Sequence, residues 1–213
     1  MAVGAQLVDF LGGLFAPRLC WSCSGLARRG EALCGACRVS LHRVTPEPVL
    51  LSGVPVWAPL AYSGPARDLV RALKFRGAIA LADAMAAQIV ANAPSGVLQG
   101  ELVPVPLHPS RLRKRGYNQA AVIAEAVARR AGMEVLDCLR RSGPSITQVG
   151  RDRVERRAGP AGSIHAQDSP LERVVLVDDV VTSGATLGAC RDALAAHGAR
   201  DVAAVCFART IGR

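Results

Sequence analysis

The sequence is poor in aromatic side chains and in lysine, and it contains no long apolar run. Aromatic residues make up 4% of the 213 positions, and they are not interleaved with basic residues as they are on surfaces that stack unpaired nucleic-acid bases. No apolar run approaches the roughly 20 residues that a bilayer-spanning helix needs. The amino-terminal segment also lacks the basic stretch of a secretory signal. We therefore expect a cytoplasmic protein without a membrane span.

The formal net charge is +9 and the isoelectric point is near 9.9. Such a balance favours a polyanionic partner, whether a nucleic acid, an anionic membrane surface or a phosphorylated substrate. Lysine occurs only at Lys74 and Lys114, so nearly all of the basic residues are arginine. We interpret this as a GC-rich coding bias, and the charge alone therefore identifies no partner.

Half of the residues are apolar, which is enough for one α/β domain with its own core. A proline-containing stretch at 45–48 precedes the first convincing strand, and we place a domain boundary near residue 50. Residues 51–213 are predicted to form the main domain, and residues 1–50 a short amphipathic helix and a small cysteine module. The helix is predicted from apolar residues at helical spacing, Leu7, Phe10, Leu11, Leu14 and Phe15.

Four of the seven cysteines form two CxxC pairs separated by ten residues. This spacing is typical of tetrahedral zinc coordination by four thiolates, which leaves no open position for catalysis, so we predict a structural zinc site. Two redox disulfides are the alternative, although a redox CxxC belongs at the start of a helix in a thioredoxin-like unit. The predicted ligands are Cys20, Cys23, Cys34 and Cys37.

Strand and helix patterns alternate along the rest of the chain. Alternation of this kind predicts an α/β fold with a mainly parallel sheet flanked by helices. The polar, arginine-rich stretch from Arg140 to Ile164 is long for a connection in a compact domain and is predicted to be a functional or mobile loop. The predicted strands are 54–62, 101–107, 134–140, 173–178 and 201–207, and the predicted helices follow Pro65, span 79–93, begin at Asn118 and span 186–197.

The strongest motif is a buried strand followed by two acids and a hydroxyl-rich loop. Residues 174–177 are continuous valine and leucine, which suits burial on both faces of a sheet. Asp178 and Asp179 follow at the carboxyl end, where open α/β sheets bind ligands. Backbone amides, hydroxyls and a helix N-terminus together form a phosphate-monoester site in the next segment. The loop residues are Thr182, Ser183, Gly184, Ala185 and Thr186.

The acid pair needs a partner of its own. Two adjacent carboxylates would repel a bare phosphate group, so they favour sugar hydroxyls or a hydrated Mg²⁺. A ribose 5-phosphate satisfies both the acids and the loop. The alternative is an acidic turn that caps an ordinary helix, since Asp and Thr favour turns and N-caps. The order of strand, acid pair and glycine loop favours the ligand site.

The run from Val174 to Thr186 resembles the signature of type I phosphoribosyltransferases, which bind 5-phosphoribosyl-1-pyrophosphate (PRPP). The resemblance implies that Asp178 and Asp179 are the catalytic acids and contact the ribose 2′ and 3′ hydroxyls, while residues 182–186 hold the 5-phosphate. It also implies a Mg²⁺ ion on the pyrophosphate, which leaves C1 through an oxocarbenium-like transition state. The sequence has no Walker or GxGxxG loop to compete with this motif.

A second loop, after the predicted strand 101–107, is strongly basic. Its Arg111 and Arg115 are placed to meet the pyrophosphate of PRPP from the same sheet edge. Taken alone, such a run is more often a solvated surface or a nucleic-acid patch. Its place before an asparagine-capped helix, on the same sheet edge as Asp178, favours the ligand. Asn118, just after this run, also fits an N-cap, and Tyr117 also fits simple packing.

In order along the chain, five features resemble the ComF (GntX-like) family over its whole length: the cysteine module, the segment 62–77, the two segments Pro104–Pro109 and Arg115–Gln119, and the PRPP loop. The resemblance implies a type I phosphoribosyltransferase fold with a zinc-ribbon-like N-terminal module, in bacterial cytoplasmic proteins linked to natural competence and DNA uptake. It makes Lys74 and Arg76 candidate PRPP contacts, although a lysine near a helix end is commonly a surface residue that offsets the helix dipole.

The segment 148–157 resembles the mobile loop of the same family. Gln148, Arg153 and Arg157 stand at matching places. The asparagine expected soon afterwards is absent, and residues 158–160 read Ala-Gly-Pro instead. The resemblance of this loop therefore ends at Arg157.

Two functions compete. An enzyme would transfer the phosphoribosyl group of Mg²⁺·PRPP to an unidentified acceptor and release pyrophosphate. A non-catalytic protein of DNA uptake would use the fold to sense PRPP or a nucleotide, while the cysteine module and residues 111–115 engage single-stranded DNA or competence proteins. The acid pair and the hydroxyl loop favour ligand binding in either case. The sequence identifies neither the acceptor nor the oligomeric state.

Overall fold

The computed structural model describes residues 19–142, 164–167 and 172–212. The predicted amino-terminal helix and the segment 148–157 lie outside the described residues. The helices are α1 (Gly35–Val39), α2 (Gly64–Phe75), α3 (Leu81–Asn92), α4 (Pro109–Arg115), α5 (Gln119–Ala131) and α6 (Ala185–Ala195). The strands are β1 (Val49–Leu51), β2 (Val54–Trp57), β3 (Leu60–Ala61), β4 (Glu101–Pro104), β5 (Leu139–Arg141), β6 (Ile164–Ala166), β7 (Arg173–Val181) and β8 (Asp201–Arg209).

Six strands form one sheet in the order β1-β2-β8-β7-β4, and β3 also pairs with β8. The β1–β2 pair is antiparallel, and the other pairs of this sheet are parallel. Strands β5 and β6 form a separate antiparallel ribbon. The mainly parallel sheet flanked by helices, which the alternating pattern predicted, is confirmed. No helix in the described part of the chain is long and apolar enough to cross a membrane.

The sheet carries an apolar layer on each face, because successive side chains of a strand point to opposite sides. On β7, Val175 and Val177 belong to the layer that α2, α3 and α5 cover, whereas Val174 and Leu176 belong to the layer that α6 and the β5–β6 ribbon cover. All four are at most 1% exposed. Burial on both faces is what a continuous run of valine and leucine predicts.

The cysteine module joins the first of these layers. Cys20 and Leu33 are buried in the same apolar cluster as Leu69 and Leu73 of α2. The module and the sheet thus share core residues. The division of the chain near residue 50 stays a prediction.

Local sequence accounts for the limits of the helices that flank the site. Helix α2 has Pro65 in its first turn, where the missing N–H of proline has no partner to lose. Helix α5 begins at Asn118, whose side chain accepts a hydrogen bond from the backbone N–H of Ala120 at 3.1 Å. It ends at Gly132, which adopts the left-handed conformation with φ of 67°.

Three predicted strands need correction. The strand 54–62 is interrupted at residues 58–59, because Pro59 cannot donate to a sheet ladder, and β2 and β3 result. The strand 101–107 ends at Pro104, in a stretch where prolines again remove backbone donors.

The third correction concerns residues 134–140. Val135 makes only an isolated parallel bridge with Leu102, and the chain then leaves the sheet. The carboxylate of Asp137 accepts a hydrogen bond from Arg140 at 3.0 Å in this turn. The chain resumes as β5, which pairs with β6 and not with the main sheet.

Candidate ligand site at the carboxyl edge of the sheet

Strand β7 carries both acids of the predicted motif. The predicted strand ended at Asp178, but β7 continues to Val181, because Val180 and Val181 extend the parallel ladder with β8. Asp178 is partly buried and Asp179 is 4% exposed. Neither carboxylate caps helix α6, whose N-cap is Gly184.

Asp179 forms an ion pair with Lys74 of α2. Side chains alternate along a strand, so Asp179 points to the face that α2 covers. There the Nζ atom of Lys74 lies 2.8 Å from Oδ1 of Asp179, and their side chains are 24% and 5% exposed. Lys74 is therefore not only a surface lysine that offsets the dipole of α2. It neutralises part of the charge of the acid pair.

The environment of Asp178 favours its neutral form. Burial and the negative charge of Asp179 raise the pKa of Asp178 to about 7, against the lowering effects of the Asp179 backbone N–H and of Lys74. That N–H donates a hydrogen bond to Oδ1 of Asp178 at 2.8 Å. Asp178 consequently gains or loses its proton near neutral pH.

A cavity of about 150 Å³ opens beside the acid pair. One wall carries Asp178 and Asp179, and the other walls carry cations from α2, α4 and β5. A cavity with acids on one side and cations on the other suits a ligand that bears both hydroxyls and negatively charged groups. The cations that line it are Lys74, Arg111, Arg115 and Arg141.

Arg141 is a site residue that the sequence did not indicate. Its Nε atom is buried and has no hydrogen-bond partner in the described structure. Burial, together with the positive charge of Arg111, lowers the pKa of Arg141. The neighbouring Arg140 pairs with Asp137 and is 46% exposed. The local sequence does not distinguish Arg140 from Arg141. The register of the β5–β6 ribbon decides which of the two arginines lines the cavity.

Four residues in or beside the basic segments have roles that the sequence left open. Arg76 is exposed at the C-terminus of α2 and is not among the described residues that line the cavity. The Nη1 atom of Arg115 donates a hydrogen bond to Oε1 of Gln119 at 2.6 Å, which orients its guanidinium. Asn118 caps α5, and the hydroxyl of Tyr117 donates to the backbone carbonyl of Leu73.

The predicted phosphate loop lines a second, smaller cavity of about 60 Å³. Asp178 and Thr186 line both cavities, so the two are contiguous. Helix α6 begins at Ala185, and its first N–H groups, which lack partners within the helix, therefore belong to this loop. The residues of the loop that line the cavity are Thr182, Ser183, Gly184, Ala185 and Thr186.

The turn between β1 and β2 packs against this loop. The hydroxyl of Ser52 donates a hydrogen bond to the backbone carbonyl of Ser183 at 3.2 Å. Gly184 has φ of 77°, and a Cβ atom at this position would lie 2.6 Å from Cβ of Leu51. Glycine is therefore required at position 184 both by its backbone conformation and by the space that Leu51 leaves.

The four paired cysteines converge in a separate cluster on the side of the sheet that α2 covers. Their sulfur atoms all lie within 4.8 Å of one another, and the sulfurs of Cys23 and Cys34 are 3.6 Å apart. A tetrahedral ion with metal–sulfur bonds of about 2.3 Å places its sulfurs about 3.8 Å apart. The geometry therefore fits a metal ion such as zinc. The described structure contains no disulfide.

The protonation of the cluster is strongly divided. Burial alone would raise the pKa of Cys20, but hydrogen bonds from neighbouring backbone groups lower it to about 6. Burial and the hydrogen bonds shared with the other thiols raise the pKa of Cys37 to about 12. A bound cation would favour the thiolate form of all four cysteines, because metal ligation requires deprotonated sulfur.

A family model described as "Phosphoribosyl transferase domain" matches residues 76–212. The chain belongs to the phosphoribosyl transferase domain family. The matched residues include every residue that lines the two cavities except Lys74, which lies just before the match. The four-cysteine cluster also precedes the matched residues.

The similarity of this phosphoribosyl transferase domain protein to some relatives also covers the cysteine module. DNA utilization protein YhgH of Escherichia coli O157:H7 is 27% identical in an alignment of 207 residues that covers 91% of each chain. Competence protein F of Haemophilus influenzae is 34% identical over 40% of each chain. Competence protein ComFC of Streptococcus pneumoniae is 31% identical over 48% of this chain and 44% of the relative. The resemblance to the ComF family is confirmed.

Two solved structures are similar to part of this chain at low identity. The allosteric regulatory enzyme of purine biosynthesis is 19% identical, with a TM-score of 0.36, over 59% of this chain and 24% of that one. Glutamine phosphoribosylpyrophosphate amidotransferase from B. subtilis is 18% identical, with a TM-score of 0.37, over 59% and 25%. The chain thus spans about a quarter of the length of these structures.

Proposed function

We propose that this protein binds Mg²⁺·PRPP at the edge of the sheet and transfers its phosphoribosyl group to an acceptor, with release of pyrophosphate. The observation that carries the proposal is the pairing of a partly neutralised acid pair with a cationic cavity and a contiguous phosphate loop. PRPP offers a matching group to each: ribose hydroxyls, pyrophosphate and 5-phosphate. The membership of the phosphoribosyl transferase domain family supports the same ligand.

The phosphate loop would hold the 5-phosphate. Its hydroxyls and the first N–H groups of α6 supply neutral donors, and the positive end of the helix dipole favours an anion there. Asp178 and Asp179 stand next to the loop on β7, where ribose hydroxyls attached to that phosphate can reach them. Each carboxylate oxygen can accept a hydrogen bond from a hydroxyl.

The cations would hold the pyrophosphate. Arg111 and Arg141 belong to separate elements, so an anion between them satisfies both guanidinium groups and gives the buried Nε of Arg141 a partner. Lys74 and Arg115 add positive charge at the same cavity. When bound, Mg²⁺ would neutralise part of the pyrophosphate charge and stabilise it as the leaving group.

The reaction breaks the bond between C1 and the pyrophosphate oxygen and forms a bond between C1 and the acceptor. The bonding electrons leave with pyrophosphate, and the acceptor loses a proton to water or to a basic group. Positive charge develops on the ribose ring in the transition state. The carboxylate of Asp179 is held by β7 and by Lys74, so its negative charge would need little rearrangement to stabilise the ring, and Asp178 would add to this charge when it is ionised.

Calorimetric titration with PRPP, with and without Mg²⁺, tests the proposal. We expect Mg²⁺-dependent binding that the double variant Asp178→Asn/Asp179→Asn loses. The matched control is Asp192→Asn, which removes an exposed carboxylate from α6 and should bind as the unaltered protein does. Binding of equal strength in the double variant would refute the site.

We propose that the four-cysteine cluster holds a structural zinc ion. Four thiolates at tetrahedral spacing leave no position for substrate, so the metal would stabilise the module and take no part in the reaction. Substitution by Co²⁺ should give the thiolate charge-transfer absorption of one tetrahedral ion per chain. Cys34→Ser should lose it and Cys138→Ala, outside the cluster, should keep it. Retention of the absorption by Cys34→Ser would contradict this assignment.

The second candidate is a protein of DNA uptake that binds PRPP or a nucleotide without catalysis. The names of its relatives, DNA utilization protein and competence protein, favour this role. Both candidates require the same ligand site, and they differ in turnover. Pyrophosphate release from PRPP over a panel of acceptors would support the enzyme, whereas PRPP binding without release and salt-dependent binding of single-stranded DNA would support the second role.

A further inference from the structure

The last turn of α2 ends beside the connection between α4 and α5. The last carbonyl groups of a helix have no partner within that helix. At the end of α2, the backbone N–H groups of Arg76 and Ala78 donate to the carbonyl of Ala72 at 3.0 and 3.5 Å. The carbonyl of Leu73 accepts a hydrogen bond from the hydroxyl of Tyr117. A side chain from another part of the chain therefore completes the end of this helix.

Tyr117 is itself held in place. Its half-buried ring packs against the apolar layer that α2 shares. Burial raises the pKa of Tyr117 despite the charge of Arg115, so the hydroxyl keeps its proton at neutral pH. The side chain of the next residue, Asn118, donates to the carbonyl of Val105 at 3.0 Å, and the N–H of Val105 donates to the carbonyl of Val177 at 3.0 Å. Tyr117 is thus tied to β7, the strand that carries the acid pair.

These contacts close a ring through Lys74. The lysine directly follows Leu73, and its Nζ atom lies 2.8 Å from Oδ1 of Asp179 on β7. The residue after the lysine is held as well, because the guanidinium carbon of Arg115 lies 5.3 Å from the ring centroid of Phe75. Both neighbours of Lys74 in the chain therefore contact residues at the end of α4 or just after it.

We propose that Tyr117 is a positioning residue, which fixes the last turn of α2 so that Lys74 reaches Asp179. A long lysine side chain loses conformational entropy when it forms an ion pair, and a fixed backbone keeps that loss small. The lysine in turn acts on the other acid. Burial and the negative charge of Asp179 raise the pKa of Asp178, and the charge of Lys74 lowers it. The hydroxyl of Tyr117 would therefore help to keep the acid pair ionised.

The titration of Asp178 tests this role without any ligand. Isotope-edited NMR of the side-chain carboxyl, assigned with the variant Asp178→Asn, measures the pH midpoint. Tyr117→Phe removes only the hydroxyl and should raise the midpoint, because a displaced Lys74 offsets the negative charges less. We expect a rise of roughly half a pH unit, a part of the roughly 1–3 units that a close opposite charge accounts for. Lys74→Met should raise the midpoint further.

The other charged and titratable groups near the acid pair keep one charge state between pH 5 and 9. Burial raises the pKa of the thiols of Cys190 on α6 and Cys206 on β8, so both stay neutral. The guanidinium groups across the cavity stay charged. They belong to Arg111, Arg115 and Arg141. A shift of the midpoint therefore reports on the acid pair and its lysine.

A double-variant cycle separates positioning from a general loss of stability. In the Lys74→Met background, Tyr117→Phe should leave the midpoint unchanged, since no lysine remains to be positioned. Tyr62→Phe is the matched control, because it removes the hydroxyl of the only other tyrosine, which packs against the same apolar layer. It should leave the midpoint of the unaltered protein in place. An unchanged midpoint in Tyr117→Phe, or an equal rise with and without the lysine, would overturn the proposal.

PRPP titration of the same variants forms a second arm, which rests on the proposed function. Tyr117→Phe should bind PRPP more weakly at pH 6.5, and the loss should be smaller at pH 8.5, where Asp178 is ionised in both proteins. A raised midpoint in a protein that does not bind PRPP would refute the proposed function and leave the positioning role standing. Binding weakened by the same factor at both pH values, with an unchanged midpoint, would count against Tyr117 as a positioning residue.

Discussion

The Nζ atom of Lys74 lies 2.8 Å from Oδ1 of Asp179, at the junction of α2 and β7. Two carboxylates on adjacent strand residues repel each other more strongly inside a protein than in water. The lysine offsets part of this repulsion, and the backbone N–H of Asp179 offsets another part at Asp178. The ion pair is therefore a condition for keeping both acids in the sheet.

Lys74→Met should destabilise the protein most at alkaline pH. Below pH 7 Asp178 carries a proton, so the lysine faces one negative charge, whereas above pH 7 it faces two. We expect a loss of about 1–3 kcal/mol at pH 8 and a smaller loss at pH 5. Urea denaturation at the two pH values measures the difference. Lys114→Met removes the only other lysine, from an exposed position, and should change little at either pH; an equal loss in both variants would contradict the assignment.

Asp178→Asn should stabilise the unliganded protein increasingly as the pH rises from 5 to about 7. The folded state raises the pKa of Asp178 to about 7 from its usual 3.8, so folding takes up a proton between these values and stability falls as the pH rises through this range. Asparagine is neutral at every pH and avoids the loss. Melting temperatures across the range should diverge up to about pH 7 and then run parallel.

The same substitution should abolish PRPP binding if the acid accepts ribose hydroxyls. The combination of greater stability with lost binding is typical of a residue whose environment serves the ligand at the expense of the fold. If the variant and the unaltered protein have the same melting temperature at pH 8, ionisation of Asp178 costs the folded protein little stability, which would contradict this prediction.

Gly184→Ala should both weaken PRPP binding and destabilise the fold. An alanine with φ near 77° costs roughly 1–2 kcal/mol, and its Cβ would collide with Leu51 and shift the phosphate loop. Gly198 also has a positive φ, 105°, but a Cβ there would meet no atom within 4 Å. Gly198→Ala should therefore lose only the backbone contribution and retain PRPP affinity. Equal effects in the two variants would show that Leu51 gives way.

Arg141→Ala should leave the unliganded protein as stable as before, or more so, and weaken PRPP binding at least tenfold. The substitution removes a guanidinium whose buried Nε lacks a partner, but it also removes a charged hydrogen bond to the proposed pyrophosphate. Arg140→Ala is the matched control, because that side chain forms an exposed ion pair with Asp137 and should affect binding little. A destabilised Arg141→Ala with full affinity would refute the role.

The parts of the site that are local in the chain could be predicted from the sequence. The run from Val174 to Thr186 contains strand, acids and loop in order, so periodicity and residue chemistry indicated a ligand site there. The same holds for the two CxxC pairs, whose spacing predicted the convergence of four sulfurs that the structure shows.

The parts that depend on tertiary contacts could not be predicted. The sequence placed Lys74 near a helix end and left its partner open, because only the packing of α2 on the sheet brings it to Asp179. The β5–β6 ribbon likewise decides that Arg141 enters the cavity. The predicted strand limits were wrong where prolines interrupt otherwise apolar runs. The limit was also wrong at the end of β7, because β8 pairs with this strand on both sides of Asp179.

Helix α2 is attached at both ends. Near its start, Asp68 accepts a hydrogen bond from the hydroxyl of Ser22, between two of the clustered cysteines, at 2.7 Å, and near its end Lys74 pairs with Asp179. The two attachment points are about 9 Å apart along the helix axis. We therefore expect the thiol cluster and the acid pair to open together, as one cooperative unit of local unfolding. Slow amide hydrogen exchange in residues 64–75 would then depend on both the thiol cluster and the acid pair. Disruption of either attachment should make the exchange of these amides faster.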